Sequence, residues 1–277
     1  MKNILLIMLM AACLCSCNSD EKNAAKLLSR AEHSFGNGNY NCAKLQIDSI
    51  KTVYPKAFAA RKAGIRLMQQ IDLKEQTKTL VYLDSMLQIK QQALDAIKKN
   101  YVFEKDEEYQ EIGNYFYPSQ TVEKNIGRSF LRAQVNELGE MYLTSIYTGA
   151  GPLNHHSVKV SVGDSYAQTP VSTDRYETKD LGKVIEKSDY KAANDGGVTG
   201  FIMTHQGQKI RLQYEGKRSY KTYMSASDVK AVAEIAQLAR ILASMQEIRK
   251  EQQEANLKIR FVKRKMQEAE AAAQNEE

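Results

Sequence analysis

The sequence predicts an α+β chain, helical at both ends with a β region between, on three observations. Apolar residues recur at helical spacing from Ala24 to Ile97 and again from Val229 to Met266. Between about Glu111 and Met224 strict alternation takes over: Val158, Val160 and Val162 alternate with Lys159 and Ser161, and Ile210, Leu212 and Tyr214 with Arg211 and Gln213. Turn signals at Asn136-Glu137-Leu138-Gly139 and Asn194-Asp195-Gly196-Gly197 punctuate that region. The expected architecture is a helical hairpin base, an antiparallel coiled-coil-like stalk and an inserted antiparallel β-sandwich or open barrel.

The chain opens with Lys2 and an apolar run from Ile4 to Ala12. That run is too short to span a bilayer, which takes roughly 20 residues, and reads as an export signal. Leu14-Cys15-Ser16-Cys17 follows it and resembles the lipobox of bacterial lipoproteins. The resemblance implies cleavage after residue 16, acylation of Cys17, and a chain tethered by lipid to the cell envelope, the outer membrane above all, with exposure on the cell surface a further expectation. Residues 17–23 are expected to be a flexible polar tether. The acidic pair Asp20-Glu21 resembles the signal that moves some such proteins to the outer face of the outer membrane.

Residues 24–72 carry a helical pattern broken at Gly36-Asn37-Gly38-Asn39 and closed by Pro55, the outline of a hairpin. Ala31, Tyr40, Ala43, Ile47 and Ile50 sit at intervals that resemble one tetratricopeptide repeat, although Arg30 and Ser34 stand where that repeat has an apolar and an aromatic residue. One repeat does not bury its own face, so the hairpin is expected to pack on the rest of the chain or on a partner. Of the four cysteines only Cys17 and Cys42 lie beyond the leader, so no disulfide is expected within the mature chain. Cys42, in a helical pattern, is expected to be a small buried residue.

Leu73, Leu80, Leu87 and Leu94 recur every seven residues, with Leu83 and Ile97 between them and Gln76 and Lys90 interrupting, a short seam over residues 73–100. Ser225 followed by Asp228 reads as a capping box that opens a long helix over 226–277. Its stripe from Val229 to Ile248 needs a cover. The candidates are the 73–100 helix lying antiparallel or a second copy of the chain. Near its far end, Lys258, Arg260, Lys263, Arg264 and Lys265 form a basic run, expected to be a solvated face.

The β region, residues 101–225, is expected to hold seven or eight strands. Hairpins are expected at Phe130–Val135 with Met141–Thr148 and at Thr199–His205 with Lys209–Glu215, and single strands at Ile112–Tyr117, Val158–Val162 and Tyr220–Met224. His155 and His156 would point to opposite faces of a strand and make a poor metal site, and no nucleotide-binding glycine loop or nucleophile elbow appears, so no metal, cofactor or catalytic residue is assigned. Twelve of the fifteen tyrosines lie between Tyr101 and Tyr223, a concentration suited to ligand contact. Tyr115, Tyr117, Tyr142, Tyr147, Tyr220 and Tyr223 are the candidate ligand-binding residues. The formal net charge of +6 is mild, and an exported chain is not expected to meet nucleic acid. The functional expectation is a non-enzymatic envelope binding or scaffold protein, engaging a protein partner or a second copy through its helices. The alternative is a glycan-binding accessory protein that captures a saccharide on a tyrosine-rich β face.

Overall fold

The computed structural model describes the backbone of residues 2–180 and 182–274, and side chains from Ser19 onward within those ranges. Cys17 therefore lies outside the described side chains. Among the described residues the fold is α+β, with five α-helices, three short 3-10 helices and two antiparallel sheets. It divides into two compact units, residues 1–85 with 250–277, and residues 86–249, so that the second interrupts the first in sequence.

The first unit is helical. α1 (Lys2–Gly36) and α2 (Tyr40–Val53) form the expected hairpin, and α3 (Phe58–Lys98) begins beside it. Gly38, at φ +76, makes the turn between α1 and α2. Ala31, Ala43, Ile47, Leu67 and Ile71 share one core, and Ala24, Ile50, Ala57 and Ala60 another. The departures from the repeat pattern have a local reason. Arg30 faces solvent, while the Ser34 hydroxyl donates to Gln46 Oε1 at 3.1 Å, replacing an aromatic contact by a polar one.

Three expectations change here. Residues 19–23 belong to α1 rather than to a flexible tether: nothing between Cys17 and Gly36 breaks a helix, and the Glu21 carboxylate accepts from the Ala60 N–H at the start of α3. Cys42 is exposed, because it lies one position off the Ala43, Ile47, Ile50 stripe. Residues 58–98 form one unbroken helix, with no boundary at residue 72. Within this unit Gln252 of α5 (Ala226–Gln274) donates to Asp84 of α3 at 2.7 Å, beside buried Leu83 and Ala255, so these helices do meet along part of the expected seam.

In the second unit the six-stranded sheet contains β1 (Val102–Glu104), β2 (Asn114–Phe116), β3 (Phe130–Asn136), β4 (Met141–Gly149), β7 (Arg175–Asp180) and β8 (Lys183–Lys191), in the order β1-β2-β3-β4-β8-β7. The four-stranded sheet contains β5 (Ser157–Val162), β6 (Ser165–Gln168), β9 (Arg211–Glu215) and β10 (Tyr220–Tyr223), in the order β10-β9-β5-β6. The β3–β4 hairpin forms as predicted, with Arg132 opposite Thr144 and Gln134 opposite Tyr142. Its turn is held by the Asn136 side chain, whose Oδ1 accepts from the Leu138 and Glu140 N–H groups. Gly139 is required there: its φ is +82, and a Cβ would stand 2.2 Å from the Ala243 amide nitrogen.

The second predicted hairpin does not form. Val198–Thr204 is a short helix, α4, instead of a strand. The Asp195 carboxylate accepts from the Gly197 and Thr199 N–H groups, and Gly196 and Gly197 both have positive φ, so this turn launches a helix. Val198 and Ile202, four apart, are the residues it buries.

The sheets do not make the core alone. Leu131, Ala133, Val135 and Leu143 from one sheet and Val158, Val160, Leu212 and Tyr214 from the other share a cluster with Leu94 of α3 and Val229, Val232, Ile235 and Leu238 of α5. The body containing the β region thus takes in residues on both sides of 101–225. Of the predicted capping box the N-cap half is present: the Asp228 N–H donates to Ser225 Oγ at 3.1 Å, while the Asp228 carboxylate accepts from the Ser225 hydroxyl and pairs with Arg128.

Candidate functional site

The residues able to carry chemistry gather on the inward face of the six-stranded sheet. Strand alternation points Ser145 of β4 and Glu186 of β8 inward, and the segment before β5 lays His155 across them. Ser145 Oγ is 2.8 Å from His155 Nε2, and His155 Nδ1 is 2.8 Å from Glu186 Oε2. The Glu186 carboxylate also accepts from three consecutive backbone N–H groups, Leu153 at 2.6 Å, Asn154 at 2.8 Å and His155 at 2.9 Å. Asn154, at φ 54, takes the left-handed turn that aims these amides at one point.

Burial governs the protonation of this group. It pushes the His155 imidazole below its usual value, more strongly than Glu186 raises it, so the ring is neutral, with its proton on Nδ1 toward Glu186 and Nε2 accepting from Ser145. Burial alone would raise Glu186, but the amides of His155 and Asn154, the His155 ring and the amide of Leu153 together hold it below the usual carboxylate value. Serine, imidazole and carboxylate in this order match the connectivity of a nucleophile, its base and the group that orients the base. Access distinguishes them: Ser145 is 0% exposed, His155 2% and Glu186 4%. The cluster is almost wholly buried and ties residues 153–155 to two strands. Tyr214, also buried, packs edge-on against His155 and donates to the Ile146 carbonyl.

No family model, characterised protein or solved structure matches the chain.

The six candidate tyrosines do not converge on one surface. Tyr115 is buried against Phe103, and half-buried Tyr117 lies edge-on to Tyr101. Tyr142 lies on the other face of β4 beneath Lys191, while Tyr147 is buried between Tyr214 and Tyr220. Tyr223 is exposed, with Lys209 and Arg211 over its ring. Among the described residues no group of three or more histidines, cysteines and acidic residues is placed to hold a metal.

Two concave surfaces were not legible in the sequence. In the first unit α2 and α3 enclose a groove of about 290 Å³ lined by Ile47, Ile50, Ile65 and Met68, with Lys51 and Arg61 at its rim. The helices approach closely because Gly64 faces Ile47. In the second unit the outer face of the six-stranded sheet and the segment 120–127 enclose about 350 Å³. Arg132 lies in its wall. A charged residue alternating with Leu131 and Ala133 reads as solvent-facing, so nothing in the local pattern marks it.

Proposed function

We propose that this chain is a lipid-anchored protein of the bacterial cell envelope that works by binding: a scaffold tethered through Cys17 whose helical hairpin engages an envelope protein. The observation that carries the binding reading is the α3 face beside the groove. Phe58 and Ile65, seven residues apart and so on one face of the helix, stand 72% and 59% exposed with Arg61 between them. Large apolar side chains gathered in this way beside a hydrophobic groove are what a partner helix or peptide covers. The tether rests on Leu14-Cys15-Ser16-Cys17. Among the described residues no helix is long and apolar enough to cross a membrane. Two or three acyl chains, at about 0.8 kcal/mol per buried CH2, would hold the chain firmly.

A photo-crosslinking residue placed at Ile65 in the full chain, in its own cells, is expected to give a discrete adduct. The same residue placed at exposed Tyr176 of β7 is expected to give none. Phe58→Asp should reduce the Ile65 adduct several-fold, and Cys17→Ala should move the chain from the membrane pellet to the soluble fraction. Identical products from Ile65 and Tyr176 would refute the groove. Full pelleting of the Cys17→Ala chain in high salt would refute the lipid tether.

A further inference from the structure

The cavity on the outer face of the six-stranded sheet holds a charge that the protein itself does not answer. Its floor is laid by strand register: Phe130 lies opposite Ile146 and Ile146 opposite Lys187, while the next pairs bring in Thr148 and Ile185. Phe130 and Ile146 are buried although they lie on the face away from the core, because the segment 120–127 covers them. That segment is anchored rather than draped. Gln120 continues the β3 ladder where β2 ends, its side-chain amide donating to the Leu131 carbonyl at 2.9 Å and accepting from the Ala133 N–H at 2.8 Å. Asn125 closes the turn onto the Ser119 and Thr121 carbonyls. The result is a preformed apolar space with a rigid roof.

Arg132 stands in that space. The residue is half-buried, its Nε is buried without a hydrogen-bond partner, no carboxylate lies within ion-pairing distance among the described residues, and the guanidinium lies over the Phe116 ring, 5.3 Å from its centroid. Asp189 and Glu104 act on it only at longer range, and burial holds the guanidinium below its usual pKa in spite of them. Asp189 already accepts from Thr144. Lys183 and Lys187 add two ammonium groups to the wall, and Asp180, beside Lys183 at the end of the β7–β8 hairpin, is the one carboxylate there, leaving the lining net positive.

An unpaired guanidinium in an apolar wall costs stability unless something else meets it, and a carboxylate meets it with two parallel hydrogen bonds. We infer that this cavity binds an anionic amphiphile, a medium-length aliphatic carboxylate whose head pairs with Arg132 and whose tail lies along Phe130, Ile146 and Ile185. The apolar floor excludes a small inorganic anion as the best fit, and the positive wall excludes a neutral or cationic amphiphile. The inference concerns the second unit and stands whether or not the helical groove takes a protein partner.

The test is calorimetric titration of the purified full chain carrying Cys17→Ala, below the micelle-forming concentration of each probe. Dodecanoate is expected to bind at one site, and acetate, which shares its head, and dodecyltrimethylammonium, which shares its tail, are expected not to. Arg132→Met should weaken dodecanoate roughly ten- to hundredfold, the range for a lost charge-assisted pair. Lys187→Gln should weaken it by a smaller factor. In the absence of ligand Arg132→Met should melt no lower than the parent, since it removes a charge that lacks a partner. A residue serving only the fold would show the opposite. Equal binding of dodecanoate by parent and Arg132→Met, equal binding of the cationic probe, or no dodecanoate heat at all would overturn the inference.

Discussion

Glu186→Ala is expected to lower the stability of the second unit by about 3–5 kcal/mol, the range for removing one partner from a buried, hydrogen-bonded pair. Three backbone N–H groups and the His155 ring would be left in the interior without their acceptor. Urea denaturation followed by the near-ultraviolet dichroism of the tyrosines reads the effect, and a loss under about 1 kcal/mol would show that the amides of 153–155 find other partners. The same cluster sets an acid dependence. Both groups have folded pKa values below their usual ones of 6.5 and 4.5, so the unfolded chain takes up these protons first. The stability contributed by neutral His155 is present above pH 6.5 and lost as pH falls through its lower folded value, and that from ionised Glu186 is present above pH 4.5 and lost below it. The melting temperature should therefore fall in two stages on acidification. His155→Gln should remove the first stage and keep the second, and an unchanged profile in that variant would place the titration elsewhere.

Ile235→Ala should cost about 2–5 kcal/mol, the range for truncating a fully buried aliphatic side chain whose surroundings cannot close the gap. Ile235 belongs to α5 but is buried in the cluster that joins both sheets. Ile259→Ala, on a half-buried position of the same helix in the other unit, should cost less than the low end of that range. The comparison tests whether this stretch of α5 is part of the β core. If Ile235→Ala left the tyrosine signal's unfolding midpoint unchanged, the sheets would be stable without the helix.

The strands that were missed explain one another. Prediction found the strands whose inward residues are apolar, such as Val158, Val160 and Val162, and the Phe130–Val135 pair with Met141–Thr148. It passed over β8, a nine-residue strand at the centre of the β4–β8–β7 pairing, because two of its inward residues are Glu186 and Ser188, with Val184 and Tyr190 outside them. Polar inward residues erase the alternation by which a strand is recognised. The same polar face, invisible as a strand, is the buried cluster with Ser145 and His155. In α4 the error ran the other way: short apolar runs suit strand and helix alike, and the Asp195 carboxylate decided for the helix. His155 was considered as a metal ligand, but its partners are 10 and 31 residues distant, beyond what any local spacing reports.

The sequence by itself determined the α+β class, the helical ends, the Ser225–Asp228 cap, the β3–β4 hairpin and the turn at Gly38, together with the motif on which the expected lipid tether rests. Each of these depends on residues within a few positions of one another, where backbone geometry and periodicity leave few choices. Only the tertiary structure decided that Glu186 faces three amides and a histidine, that α5 joins the core shared by both sheets, and that Arg132 lines a cavity without an ion-pair partner. Those outcomes depend on which strand lies beside which. A charged residue reads alike in sequence whether its neighbour across the sheet is a carboxylate, an isoleucine or water, and only the neighbour makes it a structural pin, a binding group or a solvated surface.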